Sequence, residues 1–223
     1  IFEYRALYPD EYWSNIVGIS HLLGTNSKEI YVVATGPGAV CCTNYWITDV
    51  SGKTPRNVFR SEDFGGFRNP MEVFDADADG VYELVQFESV FRYFMGDCGA
   101  CSPEPRAVFK YDKSAGTYLP AKGLQQDFVK ASFLETEKWL AETFEKLEKL
   151  KKLEKQEDVS LALDFYRRRL SHIVDIFYLG DDRRAWKTFE KYFSGDSEKE
   201  KVRAEINNRL RQSKFYQALK SAG

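Results

Sequence analysis

Two hydrophobic periods divide the chain. Up to about residue 121, apolar residues come in short runs that alternate with polar ones and stop at turn-forming residues, the signature of strands. Tyr12-Trp13 and Ile16-Val17 lead into Leu22-Leu23, ahead of the turn Gly24-Thr25-Asn26-Ser27. Ile30-Tyr31-Val32-Val33 ends at Gly36-Pro37-Gly38, and the next run, 40–50, carries Tyr45-Trp46-Ile47. Asn57-Val58-Phe59 and Met71-Glu72-Val73-Phe74 follow, and Val85 to Phe94 reads as the longest strand. Ala107 to Tyr111 and Thr117 to Leu119 form a hairpin across Asp112-Lys113-Ser114-Ala115-Gly116. Strand–turn–strand units at this spacing predict an antiparallel sheet, either a sandwich or a propeller-like fragment.

After Pro120 the period lengthens to about 3.6. Phe133, Leu140 and Leu147 recur seven apart, with Phe144 and Leu150 beside them, while Glu142→Lys146, Glu145→Lys149 and Glu148→Lys152 are well-oriented pairs on the opposite face. This predicts a long helix ending near Lys155. Val159, Leu163, Tyr166, Leu170, Ile173 and Phe177 predict a second, closed by Gly180. Asp181 is the expected N-cap of a third, with Ala185, Trp186, Phe189 and Tyr192 inward; Ser197-x-x-Glu200 reads as a capping box opening a fourth on Val202, Ile206 and Leu210. A last turn or short helix follows from Ser213, with Phe215, Tyr216 and Leu219. The expected class is α+β: a β-rich domain over 1–121, then a helical bundle over 122–223.

Composition narrows the picture. A chain of 223 residues with 43% hydrophobic and 15% aromatic content can bury a core and is not generally disordered. A net charge of −2, with both signs interspersed, provides no electrostatic footprint for nucleic acid. No apolar run reaches the length of a membrane span. The first residue is Ile1 rather than Met, as after signal-peptide removal or in a trimmed chain.

The chemistry concentrates in Asp75-Ala76-Asp77-Ala78-Asp79-Gly80-Val81-Tyr82-Glu83. Aspartates at alternate positions converge if the chain turns sharply at Gly80; the Val81 carbonyl and Glu83 complete an oxygen shell of the kind calcium takes. Without a cation, neighbouring carboxylates at ~4 Å repel by roughly 1–4 kcal/mol per pair. The alternative is an acidic turn with no metal. An EF-hand would need a bidentate Glu at position twelve and helices on both sides, whereas Gln86 stands there and the flanks read as strands.

The nine-residue form between strands resembles the calcium loop of FG-GAP/VCBS-type repeats, the module of integrin-α-like propellers and of many exported bacterial proteins. The match covers about residues 64–87, beginning at Phe64-Gly65, and occurs once. The resemblance implies Ca²⁺ held by Asp75, Asp77, Asp79, the Val81 carbonyl and Glu83.

Four cysteines form two clusters, Cys41-Cys42 and Cys98-Gly99-Ala100-Cys101. They fit a disulfide between the clusters or within the second, a four-thiolate zinc site, or ordinary buried thiols. His21 could pair with Cys41 or Cys42 as a base, but a loop histidine beside structural cysteines is the simpler reading; His172, between Leu170 and Ile173, reads as a surface or packing residue. No hydrolase elbow, zinc-protease pair or phosphate-binding loop occurs.

The leading expectation is a non-enzymatic, calcium-binding protein in the periplasm or outside the cell, serving as an interaction or binding module for a protein or carbohydrate partner; the Tyr and Trp surplus suggests the carbohydrate. The rival is an intracellular zinc-stapled or thiol-dependent enzyme built on Cys41, Cys42, Cys98 and Cys101.

Overall fold

The structure is a computed structural model, and it describes residues 14–35, 43–65, 67–152 and 159–221. Among the described residues eight strands are followed by five helices, an α+β arrangement. The strands are β1 (Ser14–Ser20), β2 (Glu29–Thr35), β3 (Thr43–Asp49), β4 (Arg56–Arg60), β5 (Phe67–Phe74), β6 (Glu83–Glu88), β7 (Arg106–Asp112) and β8 (Thr117–Pro120). The helices are α1 (Lys122–Lys152), α2 (Val159–Tyr178), α3 (Asp182–Tyr192), α4 (Lys199–Gln212) and α5 (Lys214–Ser221).

All pairings are antiparallel, and all but one join neighbours in sequence among the described residues, giving two four-stranded meanders, β1–β4 and β5–β8. Among the described residues one bridge pair, Thr43 with Phe67, joins them, so the ladder path is formally continuous while the strands act as two sheets. The meanders meet again at their far edges. Thr117 Oγ1 donates to the Val58 carbonyl at 2.8 Å, and Arg56 Nη2 donates to Tyr111 Oη at 2.7 Å. Between them lies an aromatic core: Phe109 takes edge contacts from Phe59 (centroids 5.0 Å apart), Phe67 (5.8 Å) and Phe215 of α5 (5.1 Å). Each such buried ring contributes about 1.5–3 kcal/mol of transfer free energy, which is what holds two sheets with so few shared backbone bonds. In β5, Pro70 cannot donate to a ladder, and the register with β6 shifts between Arg68 and Glu72.

The compact units are not the two halves of the sequence. One contains the strands together with 212–223; the other contains α1–α4 together with 91–105. In the first, α5 is held by Phe215 and by Ser213, whose hydroxyl donates to buried Glu88 at 2.8 Å. The strand expected over 85–94 ends at Glu88. Beyond it the backbone turns through left-handed conformations at Tyr93 (φ 55°) and Met95 (φ 54°), which no strand accommodates, and Phe91 and Phe94 enter the core of the helical unit.

In that unit Leu140, Leu147, Phe165 and Tyr192 form a cluster, packed by Trp139 and Phe144. The α2 stripe differs from expectation in its first turns. Val159 is 76% and Leu163 45% exposed, and burial begins at Phe165 and continues through Leu170, Ile173 and Phe177. Gly180 (φ 79°) closes α2, its N–H and that of Asp181 returning to Phe177 and Ile176. Asp181 caps α3 by accepting from Arg184 N at 2.9 Å. At α4 the entering turn uses Asp196, whose carboxylate accepts from Glu198 N at 3.0 Å, rather than Ser197 of the expected capping box. Among the described residues no helix is long and apolar enough to cross a membrane.

Candidate metal centre

The acidic loop connects β5 to β6, and the ladder pair Phe74–Glu83 clamps its ends. Its backbone curls because its own acids take its amides. Asp75 Oδ1 accepts from Asp79 N and Oδ2 from Gly80 N, both at 3.0 Å; Asp79 Oδ1 accepts from Val81 N at 2.8 Å; Glu83 Oε2 accepts from Ala76 N at 2.8 Å. Two residues pass through the left-handed region. Gly80 (φ 78°) does so freely, whereas Ala78 (φ 58°) carries a Cβ there and is strained.

This turn brings three of the five predicted ligands together. One oxygen each from Asp75, Asp77 and Glu83 lies within 4.8 Å of the others. Oxygens bound to one calcium at 2.3–2.6 Å can stand at most about 5 Å apart, so the spacing fits. Asp79 is not part of that group; its second oxygen lies 3.8 Å from the Lys110 ammonium. Val81 is buried in the loop with its N–H on Asp79.

Lys110, on β7, was not singled out by the sequence. It hydrogen-bonds to Asp77 Oδ2 and also stands 3.7 Å from Glu83 Oε1. The hydrogen bond from Lys110 holds the Asp77 carboxyl below the usual range, and the same bond raises the Lys110 ammonium above its own. The β6–β7 register explains the meeting: one step beyond the ladder pair Leu84–Phe109, an antiparallel strand sets Lys110 across from Glu83.

Glu83 decides what the cluster is fitted for. Its side chain is 0% exposed, and Oε1 has no hydrogen-bond partner among the described residues. The Lys110 nitrogen at 3.7 Å is beyond hydrogen-bond reach. A buried acceptor left in that state costs about 1–3 kcal/mol, and more when charged. A buried carboxylate oxygen without a donor, on a residue grouped with Asp75 and Asp77, is complementary to a cation, so the donor set fits a hard divalent ion.

The layer behind the loop is equally ordered. Tyr118 Oη donates to the Tyr82 carbonyl at 2.9 Å, and Tyr82 N donates to the Leu22 carbonyl at 2.8 Å. Burial first, then the negative charges of Glu29 and Glu83, push the Tyr118 phenol pKa upward. Glu29 is itself fully buried, takes Leu22 N at 2.6 Å through Oε2, and leaves Oε1 unpartnered among the described residues. Sequence reading missed Glu29 as well; it begins β2 next to an apolar run and carries no local signal.

A second cluster, in the helical unit, comprises Asp97, Cys98 and Cys101, again with ligand atoms within 4.8 Å. Here the valences are filled. Cys98 and Cys101 form a disulfide with Cα atoms 5.1 Å apart, and Asp97 takes Arg167 Nε at 2.9 Å and Nη2 at 2.8 Å. Cys41 and Cys42 lie outside the described residues. His21 Nδ1 is hydrogen-bonded to the Ser27 carbonyl, and His172 is buried beside Phe133 (ring centroids 4.3 Å apart) with Glu137 Oε1 3.6 Å away.

Comparison with protein-family models, curated proteins and solved structures finds no match. The resemblance to the FG-GAP/VCBS loop therefore rests on this loop's residues alone.

Proposed function

We propose that the β unit is a calcium-stapled module, in which Asp75, Asp77, Asp79, the Val81 carbonyl and Glu83 hold one Ca²⁺. The observation that carries this reading is the buried Glu83 oxygen with no donor, on a residue that shares single-ion spacing with Asp75 and Asp77. A calcium ion would bind the loop to the first residue of β6 and so fasten the β5–β6 connection. Two four-stranded meanders, each of the form of a propeller blade, agree with an FG-GAP/VCBS-like setting without amounting to a propeller.

The protein as a whole is read as a non-enzymatic, exported interaction or binding module, periplasmic or extracellular. A disulfide and a weak calcium site both suit an oxidising, calcium-rich compartment. The zinc- or thiol-based reading loses two of its four sulfur ligands when Cys98 and Cys101 are joined. The partner, protein or carbohydrate, has support only from exposed aromatics such as Tyr82 in the β unit and Tyr93 in the helical unit.

Calorimetric titration with CaCl₂ tests the metal reading. One site is expected, with Kd in the range of about 10⁻⁴–10⁻³ M typical of extracellular modules. At tenfold excess over Kd, the ion stabilises the fold by about 1.4 kcal/mol, seen as a higher melting temperature that chelator reverses. Asp77→Asn combined with Asp79→Asn is expected to abolish both effects. No heat of binding up to about 10 mM, tenfold above the weak end of that range, contradicts the reading.

A further inference from the structure

We propose that Lys110 is a tethered stand-in for the ion: its ammonium holds the acid loop together when calcium is absent and must swing out for calcium to enter. The inference rests on the calcium reading above and concerns how that same site is regulated.

Three carboxylates from two sides converge on the lysine nitrogen, with Asp77 in hydrogen-bond contact, Glu83 at 3.7 Å and Asp79 at 3.8 Å. One positive charge cannot balance four acids, so the cluster stays strongly negative and keeps its demand for a cation. The ammonium also serves the buried Glu83 oxygen poorly, being beyond hydrogen-bond reach of it. A divalent ion within reach of Asp77 and Glu83 would occupy the volume of the lysine head and repel it.

The side chain has somewhere to go. It is 35% exposed, and a four-carbon stem lets the ammonium reach water without moving β7. Calcium uptake is therefore an exchange of one cation for another, and the lysine sets the affinity. A neutral side chain at 110 would raise calcium affinity and, in the ion-free protein, leave the acids unbalanced.

The test is a CaCl₂ titration and a melting curve on the full chain, wild type against Lys110→Gln and Lys110→Met. Lys113→Gln, at an exposed lysine of the β7–β8 turn, controls for net charge. The expected result is calcium binding at least about tenfold tighter in both Lys110 variants, a gain of about 1.4 kcal/mol, with the control unchanged. In chelator the Lys110 variants are expected to melt earlier than wild type, and in saturating calcium no earlier. Equal or weaker binding in the variants overturns the lysine inference while leaving the calcium reading intact. Binding by the variants but not by wild type overturns the exchange, because the lysine then shuts the ion out of the native protein. Binding by none of the proteins overturns both.

Discussion

Two clusters of ligand-type side chains each hold their ligand atoms within 4.8 Å and have opposite characters. Around Asp97, every valence is closed: the two sulfurs are spent on each other and the carboxylate is held by both arms of one guanidinium. Around Asp75, the acids spend oxygens on the loop's own amides, and Glu83 Oε1 is left buried without a donor among the described residues. Proximity of acids and thiols alone therefore does not make a metal site. What separates the two is whether charge is left over once internal partners are counted, because a leftover buried charge costs free energy that only a ligand can return.

The sharpest way to break this comparison is to neutralise one acid in each cluster. Glu83→Gln keeps an acceptor for Ala76 N but removes the charge, and is expected to weaken calcium binding by on the order of 100-fold, the scale of a strong charge contact, about 3 kcal/mol. Asp97→Asn is expected to leave calcium binding unchanged. Equal losses in a titration of the two variants would mean that leftover charge is the wrong criterion.

Acid titration probes a third buried group, in the helical unit. Burial pushes the His172 pKa down from 6.5 to about 4, against the pull of Glu137. The native ring is thus neutral over a range in which the unfolded chain binds a proton. Stability is full above pH 6.5 and is lost as pH falls towards about 4, by up to on the order of 3 kcal/mol. Asp77 and Asp97, whose pKa values are depressed, contribute stability that is lost only at still lower pH. Urea denaturation at several pH values should show this slope, and His172→Gln should lack it.

Replacing both Cys98 and Cys101 by Ser opens the closed cluster. A bridge spanning so short a loop stabilises by about 2 kcal/mol on the chain-entropy model, and that loss is expected in the helical unit with calcium affinity unaffected. The smallest effect belongs to the loop backbone. Ala78→Gly relieves a left-handed residue and is expected to stabilise the protein by about 1 kcal/mol in thermal melts, because the steric cost removed exceeds the flexibility added to the unfolded chain.

Much of this was legible in the chain. The period-two runs gave the strands, and the acids at alternate positions before Gly80 gave the turn, because both are local patterns. Lys110 was invisible for a physical reason: it lies 33 residues from Asp77, and only the β6–β7 register brings the two together. The depth of Glu83 was hidden likewise, since burial depends on what packs over it. The β6 boundary was overrun because Phe87, Phe91 and Phe94 look like one strand, whereas the left-handed turns at Tyr93 and Met95 leave no sequence signal in non-glycine residues. Placing 91–105 and 212–223 in their compact units needs long-range packing, such as Phe109 against Phe215, that no local period encodes.

Diffraction from crystals grown with CaCl₂ bears most directly on the central claim. The account predicts an anomalous peak bounded by oxygens of Asp75, Asp77, Asp79, Val81 and Glu83 at about 2.3–2.6 Å, with the Lys110 ammonium turned out to solvent. A map with no such peak, and Lys110 still hydrogen-bonded to Asp77, would contradict it.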